Sequence, residues 1–350
     1  MGSVKSAADG AAKFRRCLVL SGGGGRLGVH LGTVAAACEA GRAPDVLLGT
    51  CGGALVAALV HAESDPARQL ELLGGPAMYR FWQGVRARPG LSVAAAAASL
   101  AWRALDPRPA PRVPDLARDA LFEVTAAWPE LAWRVDAATD AVLLGARLLY
   151  DDAQAGTPRA GRALFEPVAI GSARASALLA GAPADHGAAA VAPTLATLGA
   201  GAMPLHDAIR ISLTDMVYLP PARAAGERWL GGAVDLMPVE LAARLADEVW
   251  IYRKDAVSRW TIGPAWRAVL GMDAGARQRQ VDATPVALRI DHRGLARALP
   301  ESVLTRRLAL SAAGARLDIR AAADAAGYRR IVQAQFDEGR RRANEAMERR

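Results

Sequence analysis

The stretch GTCGG, residues 49–53, lies between two apolar runs, residues 46–48 and 54–62. A buried strand, a turn of small residues and an apolar helix form an elbow of the type G-x-S-x-G. Its central side chain is pushed out to attack an acyl carbon. Here the central residue is Cys51, so the chemistry it could support is acyl transfer through sulfur. A thiol ordinarily ionises near pH 8.5, and a helix N-terminus lowers that value. Cys51 is therefore expected at the start of a helix, with Arg26 as a nearby cation, able to form a thiolate without a partner base. The alternative is a small buried cysteine with no chemical role.

A second candidate is the loop SGGGGRLG, residues 21–28. Gly23, Gly25 and Gly28 satisfy G-x-G-x-x-G formally. The dinucleotide reading also needs an acidic residue at the end of the next strand, and that strand ends in Gly49 and Thr50, with Asp45 before it. No Lys-Ser/Thr follows the loop, so a phosphate P-loop fails as well. The remaining chemical reading is an oxyanion hole, in which glycines at a helix N-terminus aim backbone N–H groups at developing negative charge.

These residues need elements to position them. A strand at 17–20 runs into the glycine loop, a helix at 27–40 stops at Gly41, and a second strand leads into the elbow helix at 52–62. Two βα units in so short a stretch indicate a parallel sheet with helices packed on it. Residues 66–105 read as helical with a break at 88–90, residues 106–114 as a proline-rich loop, and residues 115–150 as helical again. Further strands are expected at 167–170 and in DEVWIYR, 247–253, and a helix in PLHDAIRISL, 204–213. A basic amphipathic helix ends the sequence.

Composition bounds the rest. The chain has 350 residues, 52% hydrophobic and 5% aromatic, with 43 Lys and Arg against 35 Asp and Glu, a formal charge of +8. The excess arginine is read as compositional, with no nucleic-acid partner. Three cysteines without C-x-x-C spacing argue against a metal site or a disulfide framework. The first residues lack the apolar region of a signal peptide, and the apolar stretch at 91–102 is shorter than the roughly 20 residues a bilayer span needs. A cytoplasmic protein is expected, with residues 1–13 disordered and 14–350 forming one domain.

Taken in order, LSGGGGRLGVHLG, GTCGGAL, DAIRIS…YLPP and WLGGAVDLMPV resemble the motifs of the patatin-like phospholipase family. The resemblance spans residues 17 to about 252, together with the final helix. It implies an α/β fold, a three-layer sandwich on a mostly parallel sheet, and ester hydrolysis of acyl lipids by a Ser–Asp dyad with no metal or other cofactor. On this pattern Cys51 takes the nucleophile position. Gly23, Gly24, Arg26 and Gly52 take the oxyanion hole, and His30 and Gly32 match the helix after it.

Three departures stand out. Leu27 replaces the glycine that ends the oxyanion motif, Cys51 replaces serine, and Leu230 stands at the dyad aspartate position, before Gly231 and Gly232. Asp215 is the one acidic residue of the late motif region that could substitute for the dyad aspartate, and is read first as a solvated loop carboxylate; Asp235 is read as a cap, and His30, His61 and His206 as structural. The leading expectation is a protein with impaired or absent ester hydrolysis that binds a lipid or acyl group. The alternative is an acyltransferase or thioesterase working through Cys51. The basic final helix has two readings, a solvated face or peripheral contact with an anionic membrane, and the apolar segment 93–102 is either a lid or simply core. Arg26 and Leu27 are both expected to be helical, because a leucine does not adopt positive φ without strain.

Overall fold

The computed structural model describes residues 11–90, 93–127, 130–258, 262–311 and 314–349. In chain order the strands are β1 (Phe14–Ser21), β2 (Val46–Thr50), β3 (Val85–Ala87), β4 (Phe122–Val124), β5 (Asp140–Leu148), β6 (Phe165–Gly171), β7 (Ala196–Gly199), β8 (Ala222–Ala224), β9 (Glu227–Leu230), β10 (Ala246–Arg253), β11 (Leu288–Asp291), β12 (Leu304–Ser311) and β13 (Gly314–Ala321). The main sheet has the order β11-β10-β1-β2-β5-β6-β7. From β11 to β5 all pairings are parallel; β6 then runs antiparallel to β5. The pairs β3–β4 and β12–β13 form separate two-stranded sheets.

Side chains alternate across the sheet, and each face buries its own cluster. Leu18, Leu20, Leu47, Leu143 and Ile170 face the first helix (Leu27–Glu39), the elbow helix (Gly52–Ala62) and the C-terminal helix (Ala325–Glu348). Cys17, Val19, Val46, Leu48 and Val142 face the helices Ala173–Leu179 and Val239–Leu245. The architecture is thus the three-layer α/β sandwich with a mostly parallel sheet.

Strand β9 positions the site. Residues 46–49 of β2 pair with residues 140–143 of β5, and Trp229 and Leu230 of β9 pair antiparallel with Arg147 and Ala146 further along the same strand. Since β6 occupies the other flank of β5, β9 enters the row beyond the end of β2. The turn that follows β9 is thereby set against the elbow.

One sequence expectation fails here. Residues 115–150 are not helical: a four-residue helix (Leu116–Asp119) is followed by β4 and then by β5. The segment DAVLLGARL is apolar on both faces because both are covered, so it lacks the alternation that marks a strand. Trp102 and Leu105, on the apolar helix Val93–Leu105, are 73% and 78% exposed, so that end of the helix faces solvent. Of the stretch 1–13, expected to be disordered, residues 1–10 lie outside the described residues. No helix among the described residues is long and apolar enough to cross a membrane.

The C-terminal helix docks on the first helix through backbone contact. A Cβ on Gly32 would lie 1.9 Å from the Phe336 carbonyl oxygen, and one on Gly339 would lie 2.1 Å from that of Val29. Its basic residues are largely engaged: Arg340 pairs with Glu39, Arg341 with Glu338 and Glu345, and Arg342 with Glu338. Replacing glycine by alanine inside an exposed helix stabilises it by about 1 kcal/mol. At Gly32 the sign reverses. Gly32→Ala is expected to cost about 3 kcal/mol through overpacking and to lower the melting temperature by about 4 °C, measured by thermal unfolding.

Candidate active site

Cys51 joins β2 to the elbow helix with φ 51° and ψ −126°. A non-glycine residue in this region is strained, by an amount on the order of 1–3 kcal/mol. The neighbours make the turn possible. A Cβ on Gly53 would sit 1.8 Å from the Leu20 carbonyl oxygen, and one on Gly49 would sit 2.6 Å from Ala54 Cα. Only glycine lets the helix start this close to the sheet. The Cys51 N–H donates to Ser212 Oγ at 3.1 Å, which fixes the turn from the helix Leu205–Leu213. The side chain is half-buried.

The partner of Cys51 is Asp215. The turn after β9 touches both, with Gly232 against Cys51 N and Ala233 N–H on Asp215 Oδ1, and the Asp215 charge acts on the thiol and holds its proton. This corrects one expectation: Asp215 is not solvated but buried. It stands on the segment after the helix Leu205–Leu213, not at the position of Leu230. Leu230 packs instead in an apolar cluster with Ala146, Met216 and Val234. The segments meet because the turn after β9 covers the Asp215 loop. Gly231 N–H donates to the Thr214 carbonyl at 2.6 Å, and Ala233 N–H donates to Asp215 Oδ1 at 3.0 Å. A Cβ on Gly232 would lie 2.8 Å from Cys51 N, so this turn also needs glycine. Val217, two residues past Asp215, has φ 71°, a strained setting for a β-branched residue.

Burial moves both groups of the pair upward. Asp215 is raised to about 6 by desolvation, opposed by Cys51 and by the bond from Ala233. Desolvation lifts the Cys51 thiol well above the ordinary thiol range, and the Asp215 charge raises it further. The expectation of a free thiolate made by the helix N-terminus is therefore overturned. At neutral pH the pair is a thiol beside a carboxylate. The cation acting on Cys51 is Lys254, not Arg26. Lys254 follows β10 directly, its Nζ donates to the Ser21 carbonyl, and burial lowers it to about 8.

The glycine loop lies beside the elbow. Gly22, Gly23 and Gly24 have φ of 55°, 111° and 52°, values glycine adopts without a Cβ penalty. Gly22 N–H donates to the Thr50 carbonyl at 2.9 Å. His30 Nε2 lies 2.9 Å from the Gly22 carbonyl and its Nδ1 lies 3.2 Å from the Tyr252 hydroxyl. A carbonyl only accepts, so Nε2 carries the proton and Nδ1 accepts from Tyr252. Burial lowers His30 to about 3, so it stays neutral. A Cβ on Gly52 would lie 3.2 Å from Gly24 N and 3.1 Å from Leu27 Cδ2, which brings the loop onto the start of the elbow helix. As the first helical residue, Gly52 has no intrahelical acceptor for its N–H. Leu27 opens the first helix, is 3% exposed and joins the core, as its avoidance of positive φ required. Arg26 is not helical, with φ −114° and ψ 45°. Its N–H closes the turn on the Gly23 carbonyl at 3.1 Å, and its buried Nε has no hydrogen-bond partner.

Other candidates have structural partners. His61 Nδ1 donates to the Thr139 carbonyl and its Nε2 accepts from Arg134 N–H. Asp235 caps Met237 N–H as expected, at 3.1 Å. It also joins His186 and Glu240 in a group whose ligand atoms lie within 4.8 Å of one another. Arg277 already sits there, 2.9 Å from Asp235 and 2.6 Å from Glu240, so the chain supplies its own cation.

With this geometry in place, comparison with known proteins identifies the class. The model of the patatin-like phospholipase family matches residues 18–243. That is more than half of the chain, and the protein belongs to this family. Among solved structures it is similar to VipD from Legionella pneumophila, at 12% identity and a TM-score of 0.36, over 96% of this chain and 68% of that one. No curated protein matches it.

The raised Asp215 value has a consequence for stability. The folded state holds the Asp215 proton more tightly than the unfolded chain does, so this group favours folding at low pH. That contribution is lost as pH rises through about 6. Asparagine keeps an acceptor for Ala233 N–H without the charge. Asp215→Asn is expected to be more stable than the natural protein by on the order of 3 kcal/mol at pH 7. Denaturant unfolding should show the difference shrinking towards pH 4.

Proposed function

We propose that this protein is an acyl hydrolase or acyltransferase for lipid esters in which Cys51 is the nucleophile and Asp215 its general base. The observation that carries the reading is the strained elbow at Cys51 with the buried Asp215 carboxylate held beside it by the turn Gly231–Ala233. Membership of the family supports acyl lipids as the substrate class.

In this reading Sγ attacks the ester carbonyl carbon as its proton passes to the Asp215 carboxylate. The carbonyl oxygen gains the negative charge, and the backbone N–H groups of Gly23, Gly24 and Gly52 are the donors assigned to it. Arg26 serves by closing the loop through its own N–H. When the intermediate collapses, the C–O bond breaks and the alkoxide takes the proton back from Asp215, leaving a thioester on Cys51. Attack by water or another acceptor, deprotonated by Asp215, then releases the acyl group and restores the thiol.

Moving the proton from the thiol to Asp215 is uphill, because burial and the Asp215 charge raise the thiol well above the carboxyl group. For a serine hydroxyl the same transfer would be steeper, since its pKa lies far above that of a thiol. Cysteine is therefore the easier nucleophile for a base held near pH 6. Lys254 adds positive charge beside the reacting sulfur. The reading replaces the expectation of a lost dyad, because the carboxylate is supplied from a different segment.

Incubation with a short activated ester should add one acyl group to Cys51, seen by intact-protein mass and absent in Cys51→Ala. The acylation rate should rise with pH through about 6, as Asp215 loses its proton. Asp215→Asn should slow acylation by about 100-fold or more, within the range general bases supply. A folded protein that takes no acyl group would favour a non-catalytic acyl-binding role.

A further inference from the structure

The glycine loop is held by a side chain from far along the chain. Gln335, on the C-terminal helix, is 1% exposed. Its Oε1 accepts from Gly28 N–H at 3.2 Å, and its Nε2 donates to the Gly25 carbonyl at 3.0 Å. Gln335 lies outside residues 18–243, the part matched by the family model.

The two contacts bracket Arg26 and Leu27 and secure the loop where its glycines end. The peptide between Gly25 and Arg26 is held from both sides, its carbonyl by Gln335 and its N–H by the Gly23 carbonyl. That closes the turn that carries Gly24. An amide side chain presents a donor and an acceptor at once, which a carboxylate or an apolar side chain does not. The anchor is also rigid. A Cβ on Gly28 would lie 2.5 Å from the Val332 carbonyl oxygen and 2.7 Å from Gln335 Cβ, so the helix delivering Gln335 rests on the backbone of the first helix.

We propose that Gln335 is a positioning residue that sets the shape of the glycine loop for acyl transfer at Cys51. This rests on the reading of Cys51 as the acyl acceptor. The loop's donors are effective only when fixed where the oxyanion forms, and a misplacement of about 1 Å at a reacting centre costs about 100-fold. The first helix begins at Leu27, where the family pattern has a glycine, and the anchor from Gln335 holds both sides of that position.

The test separates two reactions of one sulfur. Acylation of Cys51 by p-nitrophenyl butyrate passes through an oxyanion, whereas alkylation by iodoacetamide forms none. Gln335→Met keeps the size and removes both hydrogen bonds. It is expected to slow acylation by about 10- to 100-fold, read by intact-protein mass, while alkylation changes by less than about twofold. Gln335→Glu adds a second readout. At pH 8 its carboxylate accepts from Gly28 N–H but opposes the Gly25 carbonyl. On acidification to pH 6 it gains a proton, and its rate relative to the natural protein should recover.

The proposal is overturned if Gln335→Met acylates at the natural rate, or if acylation and alkylation fall together. It is also overturned if the Gln335→Glu ratio is flat with pH. A natural protein that is alkylated but never acylated would remove the reading of Cys51 and this proposal with it. Normal acylation of both variants would remove this proposal alone.

Discussion

The placing of the buried Asp215 carboxylate beside Cys51 is the constraint on which the site depends. It requires an elbow with φ 51° at a non-glycine residue, a carboxylate kept 9% exposed, and a turn after β9 that covers both. Each of these is unfavourable in isolation. Strain at the elbow and desolvation of Asp215 are offset by the packing around them, a pattern expected where local structure serves chemistry. The glycines explain how the chain comes so close. Gly49, Gly53 and Gly232 all stand where a Cβ would collide with backbone, so the elbow is fixed by contact between main chains.

The loop opposite the elbow is held by residues from several elements. Thr50 binds the N–H of Gly22, His30 binds its carbonyl, Lys254 binds that of Ser21 and Gln335 binds that of Gly25. They come from β2, the first helix, the residue after β10 and the C-terminal helix. The parallel order β10-β1-β2 brings most of them to one edge, because loops at the carboxyl ends of adjacent parallel strands converge. His30 is neutral in this setting, and its two ring nitrogens are committed to Gly22 and Tyr252. It supports the loop and is not free to act as a base.

Much of this was legible in the sequence, and the rest was hidden for physical reasons. The first two βα units could be read because glycine runs and apolar strands leave local signals. Leu27 with negative φ followed from sterics alone. Strand β5 was misread because a strand covered on both faces has no alternating pattern. Asp215 was misread because its burial comes from the turn after β9, whose approach depends on where β9 enters the sheet. The direction of the Cys51 shift was misjudged for the same reason: burial, with a neighbouring carboxylate behind it, outweighs the Gly52 N–H and Lys254. Lys254 had a weak signal, as the first residue after a strand. Gln335 had none, since its role depends on how two helices pack.

The most direct measurement of the central claim is the titration of the Asp215 carboxyl carbon by NMR, in the natural protein and in Cys51→Ala. A buried carboxylate beside the Cys51 thiol should titrate at about 6 in the natural protein. It should move higher once the thiol that stabilises its charge is removed. A carboxyl that titrates near the ordinary aspartate value of about 3.9, with no change in Cys51→Ala, would contradict the claim that Cys51 and Asp215 form the working pair.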